Sequence, residues 1–356
     1  MIKPNIRIKD IAQLAGVSEG TVDRVLHNRG KVSKDAAERI LKVINNTNYK
    51  PNLIARTLTL GANKTYRIAA MIPDPVLDPY WSQACTGLNM ASAEWAQYGI
   101  NIQQYHFNQH DKSSFLQTSL EVYHSKPDAV LAAPLFYYAA IPFLKVLKEN
   151  KIPYVLINTY IPEAEPLNFI GQNSFQSGEL AGELLSYGQY SPCTYAIVHV
   201  YEDLENSIHL IEKEKGFKSF FAHLKDQSNE IITLSLGNPD TAQFDEQLQA
   251  LLSSSKLRGI FVSTSRAFTI ARVLEKLSRK DVRLVGYDLI EENLRYLKSG
   301  RINALINQNP KRQALLGISN LANYLLFKRE ASGMKLFPLE IITRQNLESY
   351  LASEIH

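Results

Sequence analysis

Residues 8–27 read Ile8-Lys9-Asp10-Ile11-Ala12-Gln13-Leu14-Ala15-Gly16-Val17-Ser18-Glu19-Gly20-Thr21-Val22-Asp23-Arg24-Val25-Leu26-His27. Ile8, Ile11, Ala12 and Ala15 recur at i, i+3, i+4 and i+7, the apolar stripe of an amphipathic helix. Gly16 supplies a C-terminal stop, because glycine takes a left-handed cap without steric penalty. Ser18 stands at an N-cap position, where its hydroxyl accepts from a first-turn amide. The next helix, over about 19–27, turns Val22, Val25 and Leu26 inward and sets Gly20, Arg24 and His27 on the opposite face. Two short helices joined by a glycine turn predict a helix-turn-helix, whose second helix enters the major groove of DNA.

Beyond it, Asn28-Arg29-Gly30 breaks the helix and Ser33 caps a third, over about 34–46. Ala37, Ile40, Leu41 and Ile44 are expected to complete a small three-helix core. Pro51 opens another short helix, 52–58, and Leu60-Gly61-Ala62-Asn63-Lys64-Thr65 reads as a linker. Charge follows the same division. The first 60 residues balance to +6 and the remainder to −2, within a net +4 for the 356-residue chain. A basic module on a nearly neutral body points to a polyanion partner at one end.

From residue 66 onward strand-like and helix-like segments alternate. Strands read as 67–72, 100–105, 129–133, 154–158, 195–200, 231–236, 259–262, 283–287 and 304–306, with helical stretches between them. That alternation implies parallel sheets covered by helices on both faces, and the number of strands implies two doubly wound lobes. Ligands of such lobes sit beyond the carboxyl ends of the strands. There the chain places Asp78-Pro79-Tyr80-Trp81, Phe136-Tyr137-Tyr138, Asn158, Asp288 and Gln308. Tyr80 or Trp81 can cover the apolar face of a sugar ring while carboxylates and amides meet its hydroxyls. The competing readings are helix-start core for Trp81 and loop caps for Asp288 and Gln308.

The apolar fraction is 45%, ample for a core, and Cys85 and Cys193 are the two cysteines. They make neither a disulfide framework nor a metal cluster. The N-terminus shows no apolar signal run, and no apolar run is long enough to span a bilayer, so the chain is expected to be cytoplasmic with no membrane partner. His199, His209 and His223 lack metal-ligand spacing and read as structural or surface residues. No catalytic constellation, phosphate loop or cofactor motif appears.

The stretch 8–27, continued by Asn28-Arg29-Gly30-Lys31-Val32-Ser33 and Tyr49-Lys50-Pro51-Asn52-Leu53-Ile54-Ala55-Arg56-Thr57-Leu58, resembles the DNA-binding signature of the lac-repressor family. The resemblance implies that Glu19, Gly20 and Arg24 are base-reading positions, Arg24 with a fork suited to guanine. It implies phosphate contacts from Ser18, Thr21, His27, Ser33 and Asn52, and minor-groove insertion of a hinge helix at Ala55 and Leu58. Asp23 departs from the family's small hydroxyl residue, and Gly20 has no side chain to read a base. The operator therefore cannot be copied from a relative.

The body, about 66–343, resembles the periplasmic-type sugar-binding fold that the family uses for its effector. By that resemblance Asp288 and Gln308 bond sugar hydroxyls, and Asp78 stands where relatives carry Asn. Thr264 and Ser265 replace a polar Asn/Asp pair, with Arg266 nearby as a substitute. Glu212-Lys213-Glu214-Lys215-Gly216-Phe217 resembles the cleft-edge segment before the family's Gly-Phe, and no ligand contact is assigned within it. The expected organisation is an N-terminal all-α helix-turn-helix domain over 1–50 and a hinge helix with linker over 51–65. A two-lobed α/β periplasmic-binding-protein-like (type I) domain with parallel sheets follows over 66–343, then a C-terminal tail over 344–356. The expected function is a homodimeric repressor on pseudo-palindromic operator DNA, controlled by a small effector, a sugar with nucleosides and polyols as alternatives. The expected effector contacts are Asp78, Tyr80, Trp81, Tyr137, Tyr138, Asn158, Thr264, Asp288 and Gln308. Two other readings compete: an extracytoplasmic sugar-binding transport component, and a sugar-modifying enzyme in which Asp78 and Asp288 meet across the cleft.

Overall fold

A computed structural model describes residues 8–26, 32–47, 65–190, 192–202, 204, 206–224, 228–329 and 333–353. The chain divides into two compact units, residues 1–64 and 65–356. His27, Asn52, Ala55 and Leu58, with the rest of the expected hinge helix, lie outside the described residues.

In the first unit, helices α1 (Ile8–Ala15), α2 (Glu19–Leu26) and α3 (Lys34–Thr47) enclose Ile11, Ala12, Ala15, Val22 and Ile40. The turn forms as its sequence dictates. Gly16 takes φ +63° and its amide donates to Gln13 O, while the Val17 amide reaches back to Ala12 O at 3.0 Å. These paired bonds satisfy carbonyls that the helix end would otherwise leave open. Ser18 Oγ accepts from the Thr21 amide at 3.2 Å, and Ser33 Oγ from Ala36 at 3.4 Å. One core expectation is corrected: Leu41 is 51% exposed, and Ala36 is buried in its stead. Ala36 and Ile40, four apart, share the inward face of α3, which Leu41 leaves by about 100° of helix rotation.

The second unit holds two sheets. The first lobe comprises β1 (Tyr66–Pro73), β2 (Ile100–Phe107), β3 (Ala129–Ala132), β4 (Tyr154–Ile157), β5 (Asn168–Gly171) and β11 (Met334–Leu336), ordered β11-β5-β4-β3-β1-β2 and parallel throughout. Its helices are α4 (Pro79–Trp95), α5 (Lys112–His124), α6 (Tyr137–Glu149) and α12 (Pro310–Phe327). The second comprises β6 (Thr194–Val200), β7 (Glu230–Leu236), β8 (Leu257–Val262), β9 (Arg283–Tyr287), β10 (Ala304–Asn307) and β12 (Glu340–Ile342), ordered β12-β10-β9-β8-β6-β7. Only β12 among these runs antiparallel to its neighbour. Its helices are α7 (Ser174–Ser186), α8 (Ile208–Ala222), α9 (Ala242–Leu252), α10 (Ala267–Lys276), α11 (Glu291–Lys298) and α13 (Leu347–Ser353).

Central strands are buried on both faces, as continuous apolar runs in parallel sheets require. Ile68, Ala70 and Ile72 enter one core of the first lobe, and Ala69 and Met71 the other. The short strands β5, β11 and β12 are additions to the sequence reading. The segment expected as a tail carries α13, whose Leu347 is buried and whose Tyr350 hydroxyl donates to Glu340 at 2.7 Å. Residues 344–353 are thus part of the second lobe.

The chain crosses between lobes after β5, after β10, and between β11 and β12. Gln172 ties all three crossings together: its Nε2 donates to Asn307 O at 2.8 Å and to Pro338 O at 2.9 Å. This junction positions the facing strand ends.

Candidate functional site

On α2, Glu19, Gly20 and Arg24 are exposed, and so is Ser18 before it. Thr21 is half-buried, with its hydroxyl 2.8 Å from Ser18 Oγ. Exposed Ser33 caps α3. Arg39 donates to Ala15 O at 3.0 Å, fastening α3 to the end of α1 at the turn. The first unit thus exposes one helix face carrying Arg24 and an N-terminal rim of hydroxyls.

In the second unit the carboxyl ends of strands from both sheets converge on a cavity of about 40 Å³, lined by Asp78, Tyr80, Trp81, Gln109, Leu135 and Asn158 from the first lobe. Glu202, His209, Leu210, Lys213, Ser263, Thr264 and Ser265 line it from the second lobe, and Gln308 from the crossing between them. That volume is small against the roughly 300–1,000 Å³ of typical ligand pockets.

The first lobe's wall is largely self-satisfied. Asp78 caps α4 through Tyr80 N at 3.0 Å and accepts from Gln109 Nε2 at 3.0 Å. Trp81 Nε1 donates to Gln109 Oε1 at 3.2 Å, closing a triangle of buried groups. Tyr80 and Trp81 meet edge to face at 4.8 Å, and the Tyr80 hydroxyl accepts from Asn158 Nδ2 at 2.9 Å. Asn158 holds φ +67°, its amide bonded to Gln313 Oε1. Burial, aided by the Asp288 charge, pushes the Tyr80 phenol well above its ordinary range.

The second lobe's wall carries charge and hydroxyls. Asp288 is fully buried at φ +66° and accepts from Ser265 Oγ (3.0 Å), Gln308 Nε2 (2.8 Å) and Gln308 N (3.1 Å). Burial raises its carboxyl to about 6, against the pull of Lys213 and these donors. Lys213 is 3% exposed, its ammonium 3.1 Å from Ser263 O and 3.6 Å from the centre of the Tyr287 ring. Burial brings it down to about 8, opposed by Asp288 and Glu202. Desolvation drives His209 down to about 3, so the ring is neutral, and its Nδ1 lies 3.3 Å from Thr159 Oγ1. Contacts also cross between the lobes: His110 stacks on Tyr201 at 3.9 Å, and Arg266 lies 3.7 Å from Asp78.

Six of the nine expected effector residues therefore line the cavity: Asp78, Tyr80, Trp81, Asn158, Thr264 and Gln308. Asp288 sits one layer behind, orienting Ser265 and Gln308. Tyr137 and Tyr138 are not in the lining. They begin α6, where the Tyr137 hydroxyl donates to Glu163 and Tyr138 is 66% exposed, leaving Leu135 to face the cavity. Sequence reasoning missed Gln109, Glu202, Lys213 and Ser263, and it read His209, which also lines the cavity, as structural or surface. Gln109 follows a strand and was findable by that rule. Lys213 lies mid-helix in the charged run 212–217, read as a cleft-edge segment with no ligand contact assigned within it.

Helices α7 and α8 bring Lys213 inward. They cross so closely that a Cβ on Gly216 would lie 1.9 Å from Phe175 O, and one on Gly178 1.9 Å from Lys213 O. Among the described residues no group of three or more His, Cys, Asp or Glu could hold a metal, and no helix is long and apolar enough to cross a membrane.

Comparison with known proteins agrees with both units. Residues 7–52 match the family of bacterial regulatory proteins of the lacI type, and residues 68–329 match a periplasmic binding protein domain. The chain is 28% identical over 179 residues to the HTH-type transcriptional regulator MalR of Streptococcus pneumoniae, a match spanning 49% of this chain and 51% of that protein. It is 27% identical over 288 residues to the ribose operon repressor of Halalkalibacterium halodurans, covering 79% of this chain and 80% of that protein. A crystal structure of a LacI transcriptional regulator from Bacteroides fragilis superposes with TM-score 0.75 at 28% identity, over 81% of this chain and 100% of the other. A solute-binding protein from Agrobacterium vitis bound to α-D-tagatopyranose shares the fold, at TM-score 0.70 and 21% identity, over 82% and 98% of the two chains.

Proposed function

This chain belongs to the lacI-type bacterial regulatory proteins with a periplasmic binding protein domain as its body, and on that premise we propose that it is a DNA-binding repressor of sugar-utilisation genes whose effector is a sugar held between the two lobes. The observation that carries the reading is one chain holding both a serine-capped recognition helix and a cleft where the strand ends of two sheets meet. Arg24 reads guanine from the exposed face of α2, with Glu19 and Gly20 beside it. Ser18, Thr21, His27, Ser33 and Asn52 meet phosphates, and Ala55 and Leu58 enter the minor groove. Asp78, Tyr80, Trp81, Asn158, Thr264, Asp288 and Gln308 form the effector site, joined by Gln109 and Lys213. The protein acts in the cytoplasm as a homodimer on a pseudo-palindromic operator, with no catalytic role.

Ligand that binds one lobe arrangement better than the other shifts DNA affinity reciprocally, by ~1–3 kcal/mol. The transport reading is disfavoured by the helix-turn-helix unit. The test is selection of random duplex DNA by the full chain and by a chain lacking residues 1–64, with a thermal-shift screen of sugars and nucleosides on both. Sequence-specific DNA is expected only with the full chain, and a stabilising sugar with both. Specific DNA retained by the truncated chain overturns the two-unit assignment.

A further inference from the structure

We infer that Ser263 is a specificity-determining residue of the cleft, its hydroxyl held as an acceptor toward the ligand by the buried His199 and its partner Glu214, so that the site selects a sugar bearing a free hydroxyl at that position. The inference rests on the sugar reading of the cleft. Ser263 follows β8 at the cavity wall, fully buried. Its amide donates to Val198 O at 3.1 Å and its carbonyl accepts from Lys213. Its Oγ lies 2.7 Å from Nδ1 of His199, which is 1% exposed within β6. On the far side of that ring, Nε2 is 3.0 Å from Glu214 Oε2.

The direction of each bond follows from the last group. Glu214 Oε1 accepts from Lys218 and from the Thr233 hydroxyl. Burial works against its ionisation, but the bonds from Lys218, His199 and Thr233 outweigh it and hold the carboxyl below its usual range. An ionised carboxylate only accepts, so His199 Nε2 carries a proton. Burial keeps the ring from taking a second, and Lys213 and Lys218 add to that effect against the pull of Glu214. Nδ1 is then bare and must accept the Ser263 proton. The oxygen of Ser263 is left with lone pairs alone.

Its neighbour Ser265 likewise spends its proton, on Asp288. The strand end thus offers acceptors, while Lys213 beside it offers ammonium protons. A sugar hydroxyl fits that pair by accepting from Lys213 and donating to Ser263. A methyl ether or a deoxy carbon leaves Ser263 unpaired, which costs more than the bond itself contributes.

Two measurements on the full chain test this. Long-range proton–nitrogen correlation spectra of histidine-labelled protein at neutral pH should show His199 neutral, protonated on Nε2, with Ser263→Ala shifting the Nδ1 resonance. A protonated Nδ1 overturns the assigned polarity. Calorimetric titration then compares D-ribose, D-glucose and D-galactose with their monodeoxy analogues. The parent sugar should bind Ser263→Ala about tenfold more weakly, with Ser263→Thr restoring affinity. One deoxy analogue should lose about tenfold on the native chain and nothing further on Ser263→Ala. Equal losses in both proteins for every analogue overturn the recognition role. If none of these sugars binds the native chain, the sugar reading itself falls and takes the role of Ser263 with it, while the spectrum still decides the polarity of the His199 bond.

Discussion

The two walls of the cleft are built on opposite plans. The first lobe presents aromatic rings whose polar neighbours bond one another: Asp78, Gln109 and Trp81 close a triangle, and Tyr80 and Asn158 form a pair. The second presents Lys213, Ser263, Thr264 and Ser265, backed by Asp288 and by His199, with bonding capacity left over for a ligand. On the proposed reading, the first wall is a prearranged surface on which a ring stacks and the second is where hydroxyls are read, so that one lobe holds a ring while the other discriminates its substituents.

The comparison is broken most severely at the crossing that carries the second wall. Gly216→Ala places a Cβ against Phe175 O where no backbone atom can yield, and should cost ~3 kcal/mol in urea unfolding. A cost no larger than that of an exposed glycine would show that the Lys213 wall does not hang on this crossing. In the first wall, Gln109→Ala removes the partner of both Asp78 and the Trp81 indole, for an expected loss of about 1–3 kcal/mol. Combining it with Trp81→Phe should cost less than the sum of the two single changes.

The buried ammonium sharpens the contrast through pH. Lys213 titrates near 8 in the folded chain and near 10.5 when unfolded. Between those values the unfolded chain binds a proton that the native chain has lost, so this group's contribution to stability rises with pH. Below 8 the native state carries a disfavoured buried charge. Lys213→Met should therefore gain on the native protein at pH 7 by about 2 kcal/mol more than at pH 10, measured by denaturant unfolding at both. An unchanged difference would place the ammonium in water. The smallest effect lies outside the cleft. A Cβ on Gly20 meets nothing nearer than Ser18 Oγ at 3.9 Å. Gly20→Ala should thus stabilise the first unit by ~0.5–1 kcal/mol, seen by hydrogen exchange in α2.

The sequence by itself determined the helix-turn-helix, because each of its signals is local: the Gly16 cap, the Ser18 cap and the apolar stripe act within a few residues. It also determined that strand ends such as Asp78, Asn158 and Gln308 would meet at one cleft, since alternating strands and helices leave only that edge open. Tertiary structure decided the rest. Tyr137 and Tyr138 share the strand-end rule, yet the first turn of α6 carries them away from the cavity. Lys213 and the His199–Ser263 contact appear in no spacing, because residues 199, 213 and 263 meet only after parallel strands and a glycine-tight helix crossing are assembled. Their chemistry comes from burial, which no window of sequence contains.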